Sequence, residues 1–121
     1  MRVIQVILIL FFPILVAADT VTYICTYPIY ATVDGLDLAE NFTLTFIIDE
    51  ENDKSYMVGN NGSSEVTSIP GEGQVTFIEV TATANVMTTT ILTTGASVHS
   101  RNSVILGDLL ASQYYGTCEF R

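Results

Sequence analysis

The sequence predicts an all-β domain, a small antiparallel β-barrel or sandwich of about seven or eight strands closed by one disulfide between its ends. Three observations predict it. From Asp19 onward the chain is rich in Thr, Val, Ile, Tyr and Phe, side chains that suit a pleated, half-buried surface. Turn signals recur about every ten residues, the spacing of short strands. The two cysteines, Cys25 and Cys118, stand near the two ends of that stretch.

Residues 1–18 read differently. Arg2 supplies a positive start, Val3 to Val16 is apolar apart from Gln5 and Pro13, and Val16-Ala17-Ala18 offers small residues for a cut before Asp19. This is the layout of a secretory signal peptide, and the run falls short of the about 20 apolar residues that span a bilayer. The chain turns polar at once with no basic cluster behind it, so cleavage is expected over retention as an anchor. The organisation is therefore a signal peptide, 1–18, and a single β-domain, 19–121, that is periplasmic or secreted with no stable membrane insertion after signal removal. In an oxidising compartment two thiols form a disulfide, and the absence of C-x-x-C spacing makes Cys25–Cys118 a structural staple.

Charge narrows the partners. Thirteen acidic residues face four Lys or Arg, and the net charge of −9 becomes −10 once Arg2 leaves with the signal. Such a surface repels phosphate backbones and anionic lipid, so no nucleic acid is expected as a partner. Two cysteines and one histidine are too few for a structural zinc site, and no cofactor or metal is expected.

The elements follow in order. Thr20 to Tyr30 is one β-branched and aromatic run, and the acidic, Leu-containing stretch Asp34 to Ala39 is the one place for a helical turn. Phe42, Leu44, Phe46 and Ile48 recur at every second residue, the strand period. Asp49-Glu50-Glu51-Asn52-Asp53 carries alternate carboxylates, but Lys54 replaces the Gly and Asn60 the Glu of a calcium loop, so a solvated turn is expected. Lys54 to Val58 and Glu65 to Ile69 form a hairpin about Asn61-Gly62, and Pro70 to Gly73 separates it from Gln74 to Thr83. Met87 to Leu92 and Ala96 to Leu106 flank the turn Thr93-Thr94-Gly95.

The last hairpin places a candidate site. With Gly107-Asp108 as its turn, Arg101 opposes Tyr114, His99 opposes Gly116 and Ser97 opposes Cys118, all on one face. If the disulfide lies on the core side, His99, Arg101 and Tyr114 point inward or toward a barrel mouth. A partly buried Arg beside His and Tyr suits an anionic ligand group, with Gly116 leaving room for it. The competing expectation is a satisfied polar network in which Arg101 is tied to Glu79 or another acid. No catalytic residues are assigned: Gly95-Ala96-Ser97-Val98-His99 starts like a nucleophile elbow but lacks the last glycine and the strand-to-helix turn. Two sequons, at Asn41 and Asn61, matter only in a glycosylating pathway.

Two resemblances bear on function. Val98-His99-Ser100-Arg101-Asn102-Ser103-Val104-Ile105, then Gly107-Asp108-Leu109 and Ser112-Gln113-Tyr114-Tyr115-Gly116-Thr117-Cys118, with Tyr23-Ile24-Cys25 near the start, resembles small exported alphaproteobacterial proteins of unknown function. That resemblance implies export and the Cys25–Cys118 pairing, and no activity. More loosely, the signal, the Tyr-x-Cys start and the small disulfide-closed barrel resemble periplasmic inhibitors of c-type lysozyme, although their Ser-Gly-x-Arg-Tyr segment is absent. The function expected is an exported, non-catalytic binding module for a small ligand or envelope component. The alternatives are a protein inhibitor of a cationic hydrolase and a structural envelope protein.

Overall fold

The computed structural model describes residues 19–121, so the expected signal peptide lies outside the described residues. Nine strands run in order: β1 Thr20–Thr32, β2 Gly35–Leu38, β3 Thr43–Asp49, β4 Lys54–Gly59, β5 Gly62–Gly71, β6 Gln74–Val80, β7 Val86–Leu92, β8 Ala96–Ile105 and β9 Asp108–Phe120. Every pairing is antiparallel, and β1 pairs with both β3 and β9. Strands β1 and β3 to β9 thus close an eight-stranded barrel, and β2 is an extra strand on the outer half of β1. Closure removes the exposed edges that an open sheet of this composition would present.

The strand alternation seen in the sequence sets the inside of the barrel. His99, Thr89, Phe77 and Ser68 are successive cross-strand partners from β8 to β5, and all face inward. Phe46 and Phe77 stack at 4.5 Å in the centre, among Cys25, Leu44, Val66, Val75, Ile91 and Cys118. Burying each large apolar side chain of this kind contributes about 1.5–3 kcal/mol. Cys25 and Cys118 are direct partners across the β1–β9 seam, and they are joined as a disulfide. The bond therefore locks the first barrel strand to the last, and it fits an oxidising, extracytoplasmic compartment.

Three local expectations are corrected. Asp34 to Ala39 is not helical: Gly35–Leu38 forms β2, folded back on β1 by the two-residue turn Val33-Asp34, with Gly35 at φ 111°. Two leucines in a short acidic stretch cannot nucleate an isolated helix, whereas the free edge of β1 offers ready hydrogen bonds. The β4–β5 turn is Asn60-Asn61, with Gly59 facing Gly62, one residue earlier than Asn61-Gly62. The β8–β9 turn is Leu106-Gly107, at φ 52° and 81°, and not Gly107-Asp108.

That last shift moves every pairing of the hairpin by two residues and so leaves the faces unchanged. His99 pairs with Tyr114, Arg101 with Ser112 and Ser97 with Gly116. Ser97, His99 and Cys118 are buried, as the inward face requires. Gly116 therefore does not open space beside His99. A Cβ there would collide with the carbonyl of Thr26, at a β-bulge between Thr26 and Ile29. The bulge contains Pro28, which has no N–H to give to the ladder. Gly116 lets the bulged backbone of β1 approach β9.

The acidic run forms the β3–β4 turn. Asn52 donates to the Asp49 carboxylate from its backbone N, at 3.2 Å, and from Nδ2, at 2.8 Å. These bonds hold the Asp49 carboxyl below its usual range. Both oxygens of Asp49 thus serve the turn.

Candidate functional site

At one end of the barrel the polar residues of β6 and β8 meet the aromatic residues of β1, β9 and the segment leading into β3. His99 is fully buried, its ring centroid 6.0 Å from those of Tyr27 and Tyr114 and 5.8 Å from that of Phe42. Arg101 sits two residues along β8 on the same face. Its Nε donates to His99 Nε2 at 3.2 Å, and its guanidinium carbon lies 5.1 Å from the Phe42 ring centroid and 5.4 Å from that of Tyr114. The structure thus brings His99, Arg101 and Tyr114 together on the inner face.

These contacts fix the protons. An arginine can only donate, so His99 Nε2 must be an acceptor and the proton of the neutral ring sits on Nδ1. Nδ1 then donates to Thr89 Oγ1, 2.6 Å away on β7. Burial first, and the adjacent Arg101 charge second, push the His99 pKa down to about 4. Beneath this pair Tyr27 shares a 2.9 Å hydrogen bond with Ser97, and burial pushes its phenol up to about 12, so it stays protonated.

The acid partner expected for Arg101 is not there. Among the described residues the one ion pair is Lys54–Glu65, at 3.6 Å on the surface, and pairs of that kind contribute little. Glu79 instead turns toward β5, where its Oε2 accepts a hydrogen bond from Ser64. Glu79 Oε1 is buried without a hydrogen-bond partner. A buried acceptor left this way carries a desolvation cost of about 1–3 kcal/mol until a donor reaches it.

Between the two charged groups lies a cavity of about 470 Å³ open at the barrel mouth. Phe42, Leu44, Met57 and Met87 form its apolar wall, Glu79 and Arg101 its charged groups, Ser63 and Ser64 add hydroxyls, and the Gly59–Gly62 turn with Asn60 and Asn61 forms part of its rim. The volume lies within the about 300–1,000 Å³ typical of small-ligand sites, and the lining is more polar than such sites usually are. Cross-strand pairing explains the set: Glu79 faces Met87, and Met87 faces Arg101.

No family model, curated protein or solved structure matches this chain. The chemistry of the barrel mouth therefore carries the functional reading. Among the described residues no three His, Cys, Asp or Glu side chains are placed to hold a metal ion. In the sequence Phe42 carries only the strand period, and Met57 and Met87 carry no functional signal. Extending the inward parity through Thr93-Thr94-Gly95 into β7 would have found Met87 beside Arg101.

Proposed function

We propose that this chain is an exported, periplasmic or secreted, non-catalytic binding module whose barrel mouth holds a small ligand by an anionic group on Arg101. One observation carries this reading. Arg101 is anchored through Nε to a neutral histidine and rests against the adjoining Phe42 and Tyr114 rings, while its two terminal amino groups have no protein partner among the described residues. A guanidinium held in that way presents a fixed fork to a carboxylate or phosphate. The adjoining apolar wall takes the rest of the ligand.

Straight-chain carboxylates from acetate to octanoate are the probes. Followed by NMR on the labelled protein, they are expected to shift the resonances of Arg101, Phe42, Met57 and Met87 saturably. Affinity should rise by about threefold to fourfold per added CH₂, the gain from burying a methylene. Arg101→Met should abolish binding and leave the folded spectrum intact. Equal binding by that variant, or no saturable shift in the parent protein, overturns the reading.

A second reading, a docking module for a cationic protein, rests on the hairpin tips. Leu106 is 98% exposed at φ 52°, a backbone conformation that suits Gly or Asn better than Leu. Ile105 and Leu109 beside it face Val33 of the β1–β2 turn across a shallow cleft. Asp34 and Asp108 flank this apolar end. A basic partner with an apolar recess suits both features. Inhibition of a c-type lysozyme, lost in Leu106→Asp, would support this reading, and full lysozyme activity in excess protein would remove it.

A further inference from the structure

We infer that the ligand of the barrel mouth is bipolar: an anionic head on Arg101, a cationic donor head such as an ammonium on Glu79, and a short apolar chain between them. This rests on the barrel mouth being a ligand site, as proposed above, and adds the chemistry of the ligand's other end. Three features carry it. Glu79 Oε1 is buried at the cavity without a donor, while Oε2 is already used by Ser64. A simple anion in the cavity would leave that oxygen unsatisfied and bring its own charge toward a carboxyl group. A ligand that donates there removes the deficit.

The two poles are also held apart. Arg101 leans over Phe42 and Tyr114, toward β3 and β9, whereas Glu79 leans toward Ser64 on β5. Between them on the wall stands Met87, the cross-strand partner of both. Two strand spacings of about 4.8 Å separate the backbones that carry the charges. Ligand heads on adjacent carbons do not span that gap, and heads separated by several methylenes do. The methionines and Leu44 and Phe42 line the path that such a chain would take.

The test uses 6-aminohexanoate, its isomer norleucine, hexanoate and hexylamine, titrated into the labelled protein and into Glu79→Gln and Arg101→Met. In the parent protein 6-aminohexanoate is expected to bind at least about tenfold tighter than hexanoate, hexylamine or norleucine, since each end adds a charge-assisted hydrogen bond. Glu79→Gln should bring 6-aminohexanoate down to the affinity of hexanoate, and Arg101→Met down to that of hexylamine. Thermal unfolding of each variant confirms that the barrel is intact.

Hexanoate binding as tightly as 6-aminohexanoate overturns the bipolar class and leaves a carboxylate site standing. Norleucine binding as tightly as its isomer overturns the separated poles. Failure of all four probes, hexanoate included, removes the ligand site itself.

Discussion

Replacing both cysteines, as Cys25→Ala with Cys118→Ala, is expected to cost the domain about 4–5 kcal/mol and to lower its Tm by roughly 20 °C. The bond joins residues 93 apart in sequence, nearly the whole of the described chain. Closing so long a loop restricts the unfolded ensemble far more than it does the folded barrel, where β1 and β9 are already paired. Total stabilities of domains this size are about 5–15 kcal/mol, so the loss removes a large share and leaves a barrel that still folds at low temperature.

The mechanism has a signature of its own in urea unfolding. An uncrosslinked unfolded chain exposes more surface, so the variant should show a steeper dependence on urea as well as a lower midpoint. The same change should follow reduction of the parent protein. A loss below about 2 kcal/mol with an unchanged slope would mean that the unfolded chain is compact without the bond.

Much of this architecture is legible in the sequence, for physical reasons. Strand alternation has a period of two, so Leu44, Phe46, His99 and Cys118 are assigned to the core face whether or not the turn between strands is placed correctly. This is why moving the β8–β9 turn from Gly107-Asp108 to Leu106-Gly107 altered which residues face each other and not which ones point inward. The disulfide is legible because only two cysteines exist. What local pattern could not supply is tertiary competition. β2 is a strand because β1 outruns β3 and leaves an edge to pair, a fact about other segments. Gly116 is small because of the Thr26–Ile29 bulge across the seam. Glu79 turns to Ser64 and not to Arg101 because β5 lies beside it, and side-chain choice among several neighbours is not written in a strand period.

Acidification through pH 6.5 to about 4 is expected to remove about 3 kcal/mol of stability through His99 alone. The sign follows from proton uptake. Unfolded, the imidazole titrates at its ordinary value of 6.5; folded, it stays neutral until about pH 4. Between those values the unfolded chain binds the extra proton, so stability is full above pH 6.5 and declines as the pH falls toward 4. The groups that face the ring account for the low folded value. Arg101 is a cation, Tyr27 and Thr89 are neutral, and Phe42 and Tyr114 are aromatic. No carboxylate among the described residues touches the ring to stabilise an imidazolium.

His99→Gln separates this effect from the titration of the many carboxylates. Its side-chain oxygen can accept from Arg101 Nε and its amide can donate to Thr89, but it does not titrate. The variant loses ring contacts with Tyr27, Phe42 and Tyr114, so it should be less stable than the parent at pH 7.5, by about 1–3 kcal/mol. That deficit should shrink as the pH falls, and most of it should be gone near pH 4. Urea unfolding of both proteins at half-unit steps of pH measures the difference directly. Parallel stability profiles from pH 7.5 to 4 would mean that His99 is not held neutral by burial, and the tautomer that anchors Arg101 would lose its basis. The link to binding is the same hydrogen bond. A proton on Nε2 meets the Arg101 Nε–H, so the guanidinium loses its anchor as the ring charges, and affinity at the mouth for an apolar-chain anion that does not protonate in this range, such as hexanesulfonate, should fall with stability near pH 4.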